Sequence, residues 1–324
     1  MTRHYLSIIL ACCMLLMHNI TPLVTSVRNQ WCSSNASISH NIDSSLQPSP
    51  SRKETRNVQL LRSDSILRDW WEKPVVVEEY SLIFFPIPKV ACTEFKLLFH
   101  RMMGLQYSLP SMGNVHRIQN PSINKLKTLD EYPIWKAEEM LNNPNYKKAV
   151  FVREPKERIL SAFLNKFVMD RFYFRTMCCS QLIRKEDQNH CDDMMYEKNF
   201  SYFLESTQWC FDSHWEPQYF MIDAKWWSRI DFVGHMHNIF NDSRTLLKSL
   251  VSKKDGLTAW DKVGKDGWDH NQAFMESNSA GHATNTTAKM VQYYTRELEL
   301  FVEEKYAVEW QHEELGLEKI RLFK

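Results

Sequence analysis

Hydrophobic positions along this chain gather into short unbroken runs that alternate with stretches of helical spacing. Leu82 to Phe85 is an apolar run of the kind a strand buried on both faces requires. Pro86 and Pro88 close it, because neither can donate a ladder hydrogen bond. Phe95, Leu98, Phe99 and Met102 then recur at helical intervals and predict one face of a helix. The pattern repeats at Lys148 to Val152, a second buried-strand candidate. It is followed by Ile159, Leu160, Phe163, Leu164 and Phe167 on a helical stripe, with Pro155 suited to the first turn. Ile230 to Gly234 predicts a third strand and Asp242 to Leu250 the helix after it. Further helices are expected around Ile134 to Leu141, at Tyr196 to Leu204, and near the C-terminus with Met290, Tyr294, Leu298 and Phe301 on one face. Strands alternating with helices predict an α/β fold, a central parallel sheet flanked by helices, with the ligand site at the strand C-termini.

The rest of the chain divides by composition. Arg3 and His4 precede an uncharged apolar run from Leu6 to Met17, short for a membrane span. It reads either as a signal peptide, with Val24-Thr25-Ser26 as a small-residue cleavage site, or as an uncleaved signal anchor. Both send the remainder into the secretory pathway. Residues 1–25 are thus expected to form the targeting segment, 26–69 a flexible Ser-, Asn- and Pro-rich stem, and 70–324 the folded domain, beginning at Trp70-Trp71. Residues 104–145 are mostly irregular, and 253–285 read as a long polar loop. Sequons at Asn19, Asn35, Asn199, Asn241 and Asn285 agree with a lumenal course.

Cysteines narrow the picture further. Cys178, Cys179, Cys191 and Cys210 cluster in one segment, which in an oxidising lumen predicts two disulfides. Adjacent cysteines rarely pair, so Cys178 and Cys179 are each expected to reach one of Cys191 and Cys210. A zinc site is the competing idea, disfavoured because no C-x-x-C spacing occurs. The net charge of +1 makes no global case for nucleic acid, so any anion site must be local. Only 8 glycines argue against a glycine-rich phosphate cradle.

Two turns carry candidate chemistry. After the first strand comes Pro88-Lys89-Val90-Ala91-Cys92-Thr93, which lacks the G-x-x-x-x-G-K-[ST] pattern of nucleotide triphosphatases. Backbone N–H groups of Val90 to Thr93 at a helix start could hold a phosphate or sulfate, with Lys89 adding charge and Thr93 a hydroxyl. After the second strand, Arg153 leaves the strand end and Ser161 lies two turns into the helix. An arginine fork with a hydroxyl suits a terminal phosphate. Either cation alone would pass as a solvated strand cap. Together they suggest a ligand with two separated anionic groups.

These strings are specific. IPKVACTEF followed by FVREPKERILSAFLNKF strongly resembles the Golgi carbohydrate sulfotransferases, particularly the chondroitin and dermatan 4-O-sulfotransferase branch. KLKTL at 125–129, HW at 214–215, DFVG at 231–234 and YY at 293–294 extend the resemblance over residues 80–305. It implies a P-loop-like sulfotransferase fold and 3′-phosphoadenosine 5′-phosphosulfate (PAPS) as sulfate donor, with no metal. It implies that Pro88, Lys89, Val90, Ala91, Cys92, Thr93 and Glu94 meet the 5′-phosphosulfate, and that Arg153 and Ser161 meet the 3′-phosphate. Arg158 lies inside the same motif and is read as a helix-surface or structural partner. The acceptor would be a glycan of glycosaminoglycan or N-glycan type. The setting would be the Golgi membrane, single-pass type II with a lumenal catalytic domain, or secretion after cleavage.

Lys89 would stabilise charge on the leaving phosphate oxygen. Proton acceptors for the sugar hydroxyl are His116, His214 in the HW motif, or a carboxylate such as Glu94. Some positions depart from the family pattern. EPQYFMIDAKWW follows HW where the family has a C-H-P-C string, and His235-Met236-His237-Asn238-Ile239 follows DFVG where it usually has K-x-E-T-L. Glu94 replaces a small or amide residue. A catalytically inactive glycan-binding relative is the alternative function, and a lumenal nucleotide kinase is disfavoured by the missing P-loop glycines. The acceptor sugar and the oligomeric state stay open.

Overall fold

The computed structural model describes residues 73–104, 126–264 and 286–323. The targeting segment, the stem, Trp70-Trp71, His116 and the sequons at Asn19, Asn35 and Asn285 lie outside the described residues. Among the described residues no helix is long and apolar enough to cross a membrane.

The strands are β1 (Val75–Val77), β2 (Leu82–Phe85), β3 (Lys127–Thr128), β4 (Lys147–Val152) and β5 (Phe232–His235), in one sheet of order β3-β1-β2-β4-β5. The three expected strands are its parallel part, with Phe84 beside Ala149 and Phe151 beside Gly234. The sheet is nevertheless mixed, because β1 runs antiparallel to both β2 and β3. A single 3₁₀ turn, Glu78–Tyr80, returns the chain from β1 to β2, closed by Ser81 in the left-handed region (φ 48). A parallel neighbour would have required a crossover that this spacing cannot supply. β5 begins two residues later than its apolar run, since Asp231 spends its backbone N–H on the Lys148 carbonyl and its carboxylate on the Lys148 N–H.

The helices in chain order are α1 (Cys92–Met102), α2 (Ile134–Asn142), α3 (Pro155–Ala162), α4 (Arg171–Met177), α5 (Lys185–Tyr196), α6 (Phe200–Ser206), α7 (Ala224–Trp227), α8 (Ile239–Ser249), α9 (Ala259–Lys262), α10 (Thr286–Tyr293), α11 (Arg296–Lys305) and α12 (Ala307–Gln311). Two expected helices are broken. The Tyr196 to Leu204 stretch spans the end of α5 and most of α6, because Lys198 turns left-handed and Asn199 caps α6 by accepting from the Tyr202 N–H. The C-terminal stripe is split at Thr295, which caps α11 through the Leu298 N–H. Met290 and Tyr294 are therefore buried, while Leu298 and Phe301 are only half-buried. Part of the expected polar loop is helical, as α9, and residues 265–285 lie outside the described residues.

Two cores result. One lies against the sheet, where Phe95 packs its ring 4.7 Å from Phe84 and 4.4 Å from Phe151. Gly234 of the DFVG string lies under Phe151, whose ring would be 2.4 Å from any Cβ added there. The other core gathers α3 to α6, α10 and α11 around Phe163, Phe167, Phe203 and Trp215. It contains both disulfides, Cys178–Cys210 and Cys179–Cys191, which is the pairing pattern expected. They close loops of 32 and 12 residues; such loops stabilise by about 3 kcal/mol each.

Candidate active site

The β2–α1 turn is built on strained backbone. Lys89 (φ 68) and Ala91 (φ 53) are both left-handed without being glycine, which costs about 1–2 kcal/mol apiece. Alternating right- and left-handed residues turn successive N–H groups to one side, the geometry of an anion nest. Ala91 is the N-cap of α1 and brings no side-chain hydrogen bond to it. Cys92, Thr93 and Glu94 form the first turn of α1, all half-buried, with Val90 buried behind them.

The strain is held from the second turn. Arg153 donates from Nη1 to the Lys89 carbonyl at 3.3 Å, and Arg158 from Nε to the Pro88 carbonyl at 3.0 Å. Both carbonyls are thus held toward β4 and α3, and within the turn Val90 spends its N–H on the Ile87 carbonyl at 3.3 Å. Arg158 is not a helix-surface residue: it is 1% exposed. Its remaining donors reach the carbonyls of Glu216 (2.6 Å) and Ser213 (2.7 Å), on either side of His214-Trp215. One buried guanidinium therefore fixes the lysine turn relative to the histidine segment.

Arg153 has its own frame. Its guanidinium also contacts Thr286 Oγ1 and Glu157. The Gln218 amide brackets its backbone, accepting from the Arg153 N–H at 2.8 Å and donating to the Arg153 carbonyl at 2.7 Å. Gln218 in turn donates to Glu309 at 2.6 Å. Burial lowers the Arg153 pKa against the opposing pull of Glu157. It raises Glu309 to about 7 despite Arg158, and Glu154, the N-cap of α3, to about 7 as well. Ser161, 4% exposed, lies in α3 two turns beyond.

Lys89 extends to Asn165, with Nζ 2.9 Å from the amide oxygen. Among the described residues no carboxylate pairs with it. Burial lowers its pKa to about 7, and the nearby charges of Lys166, Arg153 and Arg158 add to that. This concentration of cations suits an anionic ligand and is costly without one.

His214 belongs to the same cluster. Its Nδ1 is 2.6 Å from Asp212 Oδ1, and the second carboxylate oxygen accepts from the Tyr173 hydroxyl at 2.5 Å. A carboxylate opposite Nδ1 requires that nitrogen to carry the proton, which leaves Nε2 as an acceptor. Burial lowers the His214 pKa to about 4, opposed by Asp212 and reinforced by Lys166 and Lys89. Burial works to raise Asp212, but hydrogen bonds from His214 and Tyr173 hold it below the ordinary carboxylate value.

Several of these residues were not picked out in the sequence: Asn165, Lys166, Tyr173, Asp212, Gln218 and Glu309. Asn165 and Lys166 stand inside the FLNKF string that supports the family resemblance, and Asp212 lies two residues before His214. Gln218 and Glu309 carry no local signal, being 91 residues apart.

A lysine-bearing strand–turn–helix, a second cationic turn and a histidine–aspartate pair are thus joined through Arg153 and Arg158. Residues 73–306 match the sulfotransferase family, and the chain belongs to it. It is 32% identical over 223 residues to carbohydrate sulfotransferase 11 of Rattus norvegicus, covering 65% of this chain and 62% of the rat protein. It is 27% identical over 190 residues to carbohydrate sulfotransferase 9 of Homo sapiens, covering 56% of this chain and 41% of the human protein. The chain thus spans less than two thirds of the length of the curated relatives it matches. No solved structure matches it.

Proposed function

We propose that this protein is a carbohydrate sulfotransferase that moves a sulfuryl group from PAPS to a glycan hydroxyl. The observation that carries the reading is the hydrogen bond from Arg153 to the Lys89 carbonyl, which brings the two cationic turns into contact. The residues fit a donor with two anionic ends. Lys89 and the N–H groups of Ala91 to Thr93, with Pro88, Val90 and Glu94 flanking them, would face the phosphosulfate, as the phosphate-binding turn of a P-loop-like sulfotransferase fold; the Val90 N–H is taken by the Ile87 carbonyl. Arg153 and Ser161 would face the 3′-phosphate. Arg158 holds the turns rather than the ligand.

When bound, PAPS supplies a sulfuryl group on a phosphate leaving group. Lys89 and the start of α1 offset the charge that grows on the departing oxygen. His214 takes the acceptor's proton at Nε2, its ring held by Asp212. At neutral pH His214 is unprotonated and ready for this role. The names of the relatives support a carbohydrate acceptor. The disulfides, and the Leu6 to Met17 apolar run, support a Golgi-lumenal domain on a single-pass type II anchor.

The test is to express the full chain in a secretory host and supply labelled PAPS with a panel of desulfated glycans. Transfer that Lys89→Ala or Arg153→Ala abolishes is expected. Glycan binding with no transfer to any acceptor would establish the inactive glycan-binding relative instead. A size shift on endoglycosidase treatment, from carbohydrate on Asn199 or Asn241, checks the lumenal course.

A further inference from the structure

The helix after β4 does not continue as a regular α-helix. Past Ala162 it widens into a π-helical turn, Phe163–Met169. Such turns insert a residue and re-aim the side chains they carry, often at functional sites. Here the turn sends two consecutive side chains to different partners. Asn165 accepts from Lys89 Nζ. Lys166 places its ammonium 4.0 Å from the centre of the Tyr173 ring and 3.3 Å from Asp170 Oδ2, with a side chain only 6% exposed. Tyr173 is the residue whose hydroxyl binds Asp212 and lies 3.3 Å from His214 Nδ1.

Lys166 is therefore one aromatic ring away from the histidine–aspartate pair and one residue away from the partner of Lys89. Its charge reaches both: it acts on Lys89 more strongly than Arg153 or Arg158 does, and it acts on His214 together with Lys89. Lys166 is linked to the base side through the Tyr173 ring and to the donor turn through its neighbour Asn165.

Resting on the sulfotransferase reading, we propose that Lys166 is a second sulfuryl-binding cation, holding the sulfuryl oxygens between Lys89 and His214 during transfer. In that step the acceptor oxygen forms a bond to sulfur as the bond from sulfur to the donor's phosphate oxygen breaks. The electron pair of the broken bond stays on the phosphate oxygen at Lys89, and the hydroxyl proton passes to His214 Nε2. Lys166 faces the sulfuryl oxygens and keeps the sulfur in line. Asp170, on the same turn, moderates its charge, and Tyr173 fixes its position.

The experiment compares Lys166→Met, which keeps the stem, with Lys166→Arg, which keeps the charge, in the full-length protein. Three quantities are measured: kcat, affinity for 3′-phosphoadenosine 5′-phosphate, which lacks the sulfuryl group, and the pH profile of kcat/KM. Lys166→Met is expected to lower kcat about 100-fold. Its affinity for 3′-phosphoadenosine 5′-phosphate should stay within about threefold. Its acid limb should move to higher pH, because one positive charge beside His214 is gone while Asp212, Tyr173 and Lys89 remain. Lys166→Arg should recover much of kcat and leave the acid limb in place, and Lys166→Gln, also without the charge, takes the place of Lys166→Met if that variant does not fold. Loss of a brace would lower thermal stability and could move the acid limb through charge alone, but it would leave kcat near normal. In the variant that lacks the charge, near-normal kcat, or loss of nucleotide affinity in step with kcat, overturns the proposal while wild-type transfer stands. A wild-type protein that transfers no label overturns the sulfotransferase reading itself, and this inference with it.

Discussion

The two cationic turns begin alike and are held in opposite ways. Arg153 stands in a satisfied frame: Glu154 caps α3, Pro155 fits its first position, and the Gln218 amide brackets the backbone with Glu309 behind it. Lys89 stands on left-handed backbone, close to an N-cap without a side-chain bond, and among the described residues its ammonium meets an amide oxygen and no carboxylate. The first is a satisfied support; the second carries strain and unbalanced charge that, on the proposed reading, an anion would offset. The lesson is that strain and unbalanced charge collect where a ligand repays them, while neighbouring residues over-determine the shape.

The comparison breaks most completely at Arg158, which joins both turns to the His214 segment. Arg158→Ala leaves the carbonyls of Pro88, Ser213 and Glu216 without their donor. A loss of about 3–5 kcal/mol is expected in urea unfolding, with activity lost alongside it. Lys89→Ala separates function from stability. It should reduce kcat/KM by about 100- to 1000-fold while leaving the unfolding midpoint unchanged or raised, because it removes a half-buried cation that, among the described residues, has no carboxylate partner.

The pH dependence sharpens the contrast. The folded Lys89 pKa is about 7, well below its usual value, so an anion that needs the protonated form must draw in a proton above that pH. Affinity for 3′-phosphoadenosine 5′-phosphate should fall as pH rises through 7, by at most about tenfold per unit, with proton uptake visible by calorimetry in buffers of different ionisation heat. Stability follows a separate sign. His214 is depressed to about 4, so its contribution is full above the ordinary histidine value and is lost as pH falls toward 4. Glu154 and Glu309 are raised to about 7, so their contribution is full at low pH and is lost as pH rises toward 7. The smallest effect belongs to Ala91→Gly. Relief of about 1–2 kcal/mol of left-handed strain, less about 0.4–1 kcal/mol of added chain entropy, should raise unfolding stability by up to about 1 kcal/mol.

Much of the fold was legible. The runs at 82–85 and 148–152 read directly as strands because parallel strands buried on both faces must be continuously apolar. The pairing of Cys178 and Cys179 with Cys191 and Cys210 followed from chain adjacency alone. The two antiparallel strands did not show: β3 is two residues long, too short for any period, and β1 joins β2 through a turn with no glycine to announce it. Arg158 could be read as a helix-surface or a structural residue, and the sequence did not choose because its partners are backbone carbonyls, which leave no mark in sequence. The aspartate beside His214 was two residues away in plain view, yet nothing local required its carboxylate to turn toward the ring.

By itself, then, the sequence determined which chemistry is present and in what order: a lysine turn, an arginine turn, a histidine–tryptophan pair and four clustered cysteines. These are local properties of residue type and spacing. Only the tertiary structure decided that Arg158 is a buried clamp, that a π-helical turn brings Asn165 to Lys89, and that Lys166 sits by Tyr173. Those outcomes depend on burial and on contacts between residues as far as 76 apart. Distances of that kind are set by how the sheet and the disulfide-stapled helices pack, not by any one stretch of chain.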